Sequence, residues 1–405
     1  MRKLIPIMLC IVMVLMVLAG CQSAAPAETP KAAESVAPAE PKEVEPSKSA
    51  EEAEESAGGG AAEVKKIGFY SDAADDYYKV LVETFTKLGE LDPECNWEVT
   101  SVVGASTAAE QLAAVENFIT AGMDAICVIQ NNADTTSECI AKAKEAGIPY
   151  FGVTHDFSHV SNAKDAAGAC GYDFVQSGIY AGEDALSRGI KKVIMIEGVL
   201  GQGSAGAQSL GFIKAYEDAG LDIGNQTAVE YATNKPLKGG KDLEIVFWGS
   251  GNWFADPAKK IMTDAITSLG PNGWDGAYVQ NDEMMDGAIQ AIQEAGLNPS
   301  DYWLGASNGK EKSWDWVKQG ITTMDVNQTA ALEGDVVYQQ VKAYFAGQPY
   351  RKYIHPYLTP FSKDDIGTKQ LLPFSDVEEY ITQRNAGKFV YDINDPKFLD
   401  NKGFQ

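Results

Sequence analysis

From Val64 onward the chain repeats one unit, a short apolar run followed by an amphipathic helical stretch. Such a chain can bury its runs only in a mostly parallel sheet covered by its helices. Lys65 to Tyr70 reads as the first strand, and a helix from about Asp76 sets Tyr78, Leu81, Phe85 and Leu88 on one face. Trp97 to Val103 is the next strand, and Thr107 with Glu110 makes a capping box ahead of Leu112, Val115 and Ile119. Ala125 to Gln130 is continuously apolar, as a strand covered on both faces requires. Thr135 with Glu138 caps a helix that ends at Gly147, and Ile148-Pro149 leads into a strand from Tyr150 to Thr154. A second series begins near Lys191, with strand Lys192 to Glu197, a helix from Ala207 to Ala219 and strand Glu244 to Trp248. Asp256-Pro257 then supplies a cap and a first helical proline ahead of Ile261, Ala265 and Leu269. Strands Ala277 to Gln280 and Tyr302 to Ala306 complete an α/β pattern of two parallel-sheet lobes.

Ahead of this body, Arg2 and Lys3 precede an apolar run from Leu4 to Gly20, the pattern of an export signal over residues 1–20. The run closes on Leu18-Ala19-Gly20-Cys21, which resembles the lipobox of bacterial lipoproteins. That resemblance implies cleavage before Cys21 and a lipid on its sulfur. The 42 residues from Gln22 to Glu63 hold no aromatic, Leu, Ile or Met and carry 10 acidic against 3 basic side chains. They cannot bury enough apolar surface to offset ordering, so residues 21–63 read as an anchored acidic tether of about 35 Å, longer with self-repulsion. Cys95, Cys127, Cys139 and Cys170 leave one or two disulfides open, although Cys127 lies in an apolar strand and reads as a small buried hydrophobe.

Charge and composition exclude several functions. With 33 Lys and Arg against 57 Asp and Glu, the net charge of −24 repels phosphate backbones, and no basic stripe interrupts it. Nucleic acid is therefore not an expected partner. Three histidines and six scattered cysteines give no CxxC or HExxH spacing, and no calcium-loop pattern occurs, so neither a metal nor a cofactor is expected.

Three glycine motifs invite an enzymatic reading. Gly201xGly203xxGly206 lies between a strand and a helix, where a dinucleotide pyrophosphate could sit, but a plain βα turn has the same pattern. Gly305xxxGly309-Lys310 is one residue short of a phosphate loop, and Glu311 stands where Ser or Thr is needed. Gly305-Ala306-Ser307-Asn308-Gly309 is GxSxG between a strand and a helix and, with Asp325 or Asp335 and then His355, gives the order Ser, Asp, His. A lipid-anchored serine esterase is thus the enzymatic alternative, although only 48 residues separate Ser307 from His355 and no HGGG-like oxyanion loop precedes them.

Ligands of open α/β sheets bind beyond the carboxyl ends of the strands. There the chain places Asp72, Asp75, Asp76, Tyr77 and Tyr78, then Gln130, Thr154, His155 and Asp156, then Gln208, Asn281, Asp282, Ser307, Asn308 and Gln328. Amides, hydroxyls, carboxylates and rings of this kind suit the hydroxyl rim and C–H faces of a sugar. One of Tyr77 and Tyr78 is expected to face the core, and Asp282 could equally cap a helix.

From Val64 to about Phe361 the chain resembles the type I periplasmic sugar-binding proteins, the ribose-binding protein class. The segments that carry this are KIGFYS followed by DDYY, AEQLAAVENFITAGMDAICVI, IAKAKEAGIPYFGV, VQNDEMMDGAIQAIQEAG and VNQTAALEG. The resemblance implies two doubly wound lobes joined by three hinge crossings near Tyr172, Gln328 and Tyr353. The first lobe would hold residues 64–172 and 329–352, the second 173–328 and 353–405. By position, ligand contacts would fall on Asp75, Tyr77, Tyr78, Gln130, Thr154, His155, Gln208, Trp253, Asn281, Ser307 and Gln328. The family's Asp-Arg pair is Thr154-His155 here, with Asp156 in reach of the acidic role, and a family arginine is Gln208. An insertion between about Asn225 and Gly251 leaves the stacking ring open between Trp248 and Trp253, and the tail after Phe361 is expected on the second lobe. The function implied is that of a monomeric lipoprotein receptor that captures a monosaccharide or small polyol and delivers it to an ABC permease. A sensor feeding a chemoreceptor or histidine kinase is the alternative within the same fold.

Overall fold

The computed structural model describes residues 64–130, 132–155, 157, 160–233, 240–389 and 392–394. The expected signal, Cys21 and the expected tether lie outside the described residues, as does Asp156.

The chain opens with β1 (Lys65–Ser71), α1 (Asp76–Leu91), β2 (Trp97–Val103), α2 (Ala108–Thr120), β3 (Ala125–Ile129), α3 (Ala133–Glu145), β4 (Tyr150–Val153) and β5 (Gly168–Cys170). It continues through α4 (Phe174–Ser187), β6 (Lys192–Glu197), α5 (Gly203–Asp218), α6 (Ala228–Thr233), β7 (Glu244–Ser250), α7 (Ala255–Leu269), β8 (Gly276–Val279), α8 (Asp282–Glu294), β9 (Trp303–Gly305), α9 (Glu311–Gln319) and β10 (Met324–Asn327). The final elements are α10 (Ala330–Phe345), β11 (Tyr353–Ile354), β12 (Thr359–Ser362) and α11 (Val377–Asn385).

Two six-stranded sheets result, ordered β2-β1-β3-β4-β5-β11 and β7-β6-β8-β9-β10-β12. All pairings are parallel except that of β12 with β10. Each sheet is covered on both faces, so each lobe has two apolar layers. In the first lobe Phe69, Leu81, Phe85 and Val337 form one layer, and Val115, Phe118, Ile126 and Ile140 the other. In the second lobe the layers are built on Phe212, Tyr216 and Tyr278, and on Met262, Met285, Ile292 and Leu304.

The chain passes between lobes at residues 171–173, 328–329 and 355–358, and the passages are tied together. Tyr172 donates its hydroxyl to the Thr329 carbonyl at 3.0 Å, and His355 Nδ1 lies 2.6 Å from the Gly171 carbonyl oxygen. β11 pairs with β5, so residues 353–354 belong to the first sheet rather than to the second lobe.

The tail also departs from expectation. β12 does join the second sheet, but Leu372, Phe374, Val377, Tyr380, Ile381 and Phe389 are buried in the first lobe's core beside Leu81 and Val337. The cause is long-range: α10 carries the fully buried Asp335 carboxylate, which takes hydrogen bonds from Tyr380 and Arg384 of α11.

Three helix starts differ as well, α5 opening at Gly203 rather than Ala207. α3 begins one turn early because Asn132, not Thr135, caps it by accepting from the Thr135 backbone N–H at 3.0 Å. Asp256 and Pro257 lie inside α7, whose N-cap is Phe254. The four cysteines of the body are buried free thiols.

α4 and α5 touch backbone to backbone through glycine. A Cβ on Gly178 would stand 2.1 Å from the Gln208 carbonyl oxygen, and one on Gly211 would stand 1.9 Å from that of Val175. Neither backbone atom can yield without moving a helix. Gly211→Ala is therefore expected to cost about 2 kcal/mol by overpacking, read as a lower urea midpoint at unchanged slope. An unshifted midpoint would mean that the helix pair is not closely packed.

Candidate functional site

The carboxyl ends of both sheets face one cavity. Its volume is about 190 Å³, room for one small molecule. The first lobe lines it with Asp75, Asp76, Tyr77 and Tyr78 after β1 and with Thr154 and His155 after β4. The second lobe contributes Ser204, Gln208, Trp253, Phe254, Asn281, Glu283, Asn308 and Lys310, while Phe174 and Gln328 stand at the crossings.

Both tyrosines of the first lobe line the cavity, and their hydroxyls are fixed from behind. Tyr77 donates to Glu333 Oε2 at 2.8 Å, and the Tyr78 oxygen lies 3.2 Å from His155 Nε2. Asp75 caps α1 by accepting from the Tyr78 backbone N–H at 2.8 Å, and burial pushes its carboxyl up to about 6. Thr154 holds a left-handed backbone, φ 74°, and donates to Glu333 Oε2 at 3.2 Å. Burial drives the His155 imidazole down to about 4, so it is neutral at pH 7, and its Nδ1 has no hydrogen-bond partner among the described residues.

Glu333 is a fully buried carboxyl under both Tyr77 and Thr154, and burial raises it from 4.5 to about 8. The folded state therefore holds a proton that the unfolded state releases between those values. Stability falls as pH rises through that window and is constant above it. Glu333→Gln should remove this dependence, so that the variant gains on the wild type between about pH 5 and 8. Parallel stability curves for the two proteins would disprove it.

In the second lobe the ring that lines the cavity is Trp253. It sits at φ 70° after Asn252 at φ 53°, two consecutive left-handed non-glycine residues, a strained turn that aims the indole. Gln202 Oε1 accepts from its Nε1 at 2.5 Å, and Asn281 Nδ2 donates to its carbonyl at 3.2 Å. A Cβ on Gly198 would fall 2.0 Å from the indole, so glycine makes room for it. Trp248 instead donates its Nε1 to Glu197 Oε2 at 2.6 Å and packs with the core layer of Phe212.

Several amides are held by neighbours. Gln208 Oε1 accepts from Tyr278 at 3.0 Å; Gln328 Oε1 accepts from Ser177 and its Nε2 donates to Asn308 Oδ1 at 3.1 Å. The Asn281 side chain is divided between the Trp253 carbonyl and the cap of α8.

Of the expected site residues, Asp75, Tyr77, Tyr78, Thr154, His155, Gln208, Trp253, Asn281, Asn308 and Gln328 converge on the cavity. Gln130, Asp282 and Ser307 are buried and do not line it. Asp282 lies in the first turn of α8 and accepts from the Lys310 backbone N–H at 2.6 Å. Asp76, named among the strand-end residues, also lines the cavity, whereas Phe174, Ser204, Phe254, Glu283 and Lys310 were not expected to contribute. Lys310 was visible only as the lysine of a failed phosphate loop, and Phe174 carried no signal.

The members of the GxSxG triad do not meet. Ser307 Oγ pairs with Ser177 Oγ at 3.1 Å, His355 with the Gly171 carbonyl, Asp325 with the Val326 backbone N–H, and Asp335 with Tyr380 and Arg384. The GxGxxG segment opens α5, where Cβ atoms on Gly203 and Gly206 would meet nothing within 4 Å, so no close approach demands those glycines. Among the described residues no group of three or more His, Cys, Asp or Glu could hold a metal ion.

Comparison with known proteins agrees with this geometry. A xylitol-binding protein of Mycolicibacterium smegmatis is 30% identical over 217 residues, 53% of this chain and 53% of that protein. A galactofuranose-binding protein of Escherichia coli is 25% identical over 230 residues, 55% of this chain and 65% of its own length. The matches thus span between half and two thirds of these relatives. The crystal structure of a galactofuranose-binding protein superposes with a TM-score of 0.63 at 20% identity, covering 80% of this chain and all of the other. Residues 70–349 match the family described as periplasmic binding protein domain. With that match over more than half its length, and with two parallel-sheet lobes closing on one cavity, the chain belongs to the periplasmic binding protein family.

Proposed function

We propose that this protein is an extracytoplasmic receptor that captures a monosaccharide or small polyol between its lobes and delivers it to an ABC transporter permease, held near the membrane by lipid on Cys21. The observation that carries the reading is the cavity itself, in which neutral amides and hydroxyls from both lobes stand among the rings of Tyr77, Tyr78 and Trp253. Hydroxyls satisfy such groups, and the C–H faces of a ring or polyol chain lie against the aromatics. Ligand that touches both lobes favours the closed arrangement because those contacts exist only there, and release needs only reopening. No bond need be made or broken. The xylitol- and galactofuranose-binding relatives support the ligand class, and membership of a periplasmic binding protein family supports export.

The test is a thermal-shift screen of the folded body against sugars and polyols, followed by calorimetry. A ligand at 100 times its dissociation constant should add about 2.7 kcal/mol of apparent stability. The absence of a shift with every neutral sugar and polyol, set against a shift with another ligand class, would reject the reading. Ester turnover lost in Ser307→Ala would reject the non-enzymatic part of it.

A further inference from the structure

The charges around the cavity do not balance. Among the described residues three carboxylates line it, Asp75, Asp76 and Glu283, against one cation, Lys310. That lysine is already shared: its Nζ lies 3.6 Å from Asp76 and 3.5 Å from Glu283 and stands over the Phe374 ring. Asp75 has no Lys, Arg or His within ion-pair distance among the described residues; it accepts from the Tyr78 and Tyr77 backbone N–H groups, and the Lys310 charge acts on it only from farther off. His155 adds no charge, being neutral at pH 7, and where a guanidinium was expected Gln208 stands with its oxygen taken by Tyr278. His155 Nδ1 is a buried ring nitrogen without a hydrogen-bond partner among the described residues. The rings of Tyr77, Tyr78 and Trp253 also line the cavity, and aromatic rings attract cations as well as C–H groups.

We propose that the preferred ligand carries a protonated amine among its hydroxyls, an amino-sugar or amino-polyol, with the ammonium set against Asp75 and the surrounding rings. The proposal rests on the reading of the cavity as a sugar or polyol site and sharpens it. An ammonium supplies the countercharge that the lining lacks and donates a charge-assisted hydrogen bond where a hydroxyl donates a neutral one. A carboxylate on the ligand would meet Asp75, Asp76 and Glu283 with a single shared lysine to offset them, so uronates should be rejected.

The experiment compares matched compounds at pH 7 by calorimetry on the folded body: D-glucose, D-glucosamine and D-glucuronate, and myo-inositol, xylitol and sorbitol beside their monoamino analogues. For each parent that binds, the amine should bind about tenfold tighter or more, and the uronate at least about a hundredfold weaker. In Asp75→Asn the ratio of amine to parent affinity should fall to about one. Neutral parents that bind as tightly as their amines would overturn the proposal and leave the sugar reading intact. An amine preference that survives Asp75→Asn would overturn the assignment to Asp75. If no compound of either kind binds, the sugar reading fails and the proposal with it.

Discussion

Trp253→Ala is expected to weaken binding of the captured sugar or polyol by at least about 2 kcal/mol, a factor of about thirty, whereas Trp248→Ala should leave affinity close to the wild type. The two indoles lie five residues apart at the end of β7 but do different work. Trp253 lines the cavity at a strained turn, held by Gln202 and Asn281 and admitted by the missing Cβ of Gly198. Truncating it removes the apolar wall against which C–H groups pack and leaves the Gln202 acceptor without its indole partner. Trp248 serves the buried Glu197 carboxylate, which also accepts from the Ser209 hydroxyl, so its loss should appear as lower stability. Asn281→Ala should act through Trp253 and the α8 cap, giving a smaller affinity loss together with a destabilisation of about 1 kcal/mol. Calorimetry on the three variants with a ligand found by the screen, beside their urea midpoints, separates these outcomes. Equal affinity losses at Trp248 and Trp253 would show that the cavity has been misassigned.

Much of this architecture was legible because its signals are local. Apolar runs of strand length and a helical period with Tyr78, Leu81, Phe85 and Leu88 on one face can be read within a window of a dozen residues. The polar residues at strand ends were legible for the same reason, since a doubly wound sheet fixes where those ends point. What stayed hidden depends on choices between near-equal local options or on distant partners. Asn132 and Thr135 are both good caps, and the chain used the earlier one. Asn281 and Asp282 are neighbours, and only the direction taken by α8 decides that the first lines the cavity while the second does not. Glu333, which holds both Tyr77 and Thr154, is separated from Tyr77 by 256 positions, so although Gln328 marks its segment, its own part in the site depends on a distant partner. The tail is the extreme case, because its docking surface is a carboxylate on α10.

Arg384→Ala is the substitution expected to damage the fold most, at about 3 kcal/mol, because it strips the cation from a carboxylate that water cannot reach. Asp335 is fully buried, and Arg384 Nε meets its Oδ2 at 2.6 Å while Tyr380 donates to the same oxygen at 3.0 Å. The penalty is set by the charge left behind, so it should shrink sharply when Asp335→Asn is combined with Arg384→Ala. A double-mutant cycle on urea midpoints measures that coupling directly. The effect should also reach the cavity. Between β12 and α11 the tail is fastened to both lobes: the Leu372 backbone exchanges hydrogen bonds with the Asn327 side chain, Thr329 donates to the Pro373 carbonyl, and Glu311 accepts from the Phe374 and Ser375 backbone N–H groups. Phe374 then packs edge-on against Tyr77, centroids 5.6 Å apart, on the ring that lines the site. Releasing α11 frees that ring, so ligand affinity should fall together with stability in Arg384→Ala and recover with it in the double variant. A full loss of stability with no change in affinity would confine the tail to a structural role; a loss below about 0.5 kcal/mol would mean that Asp335 finds water or another donor once Arg384 is gone.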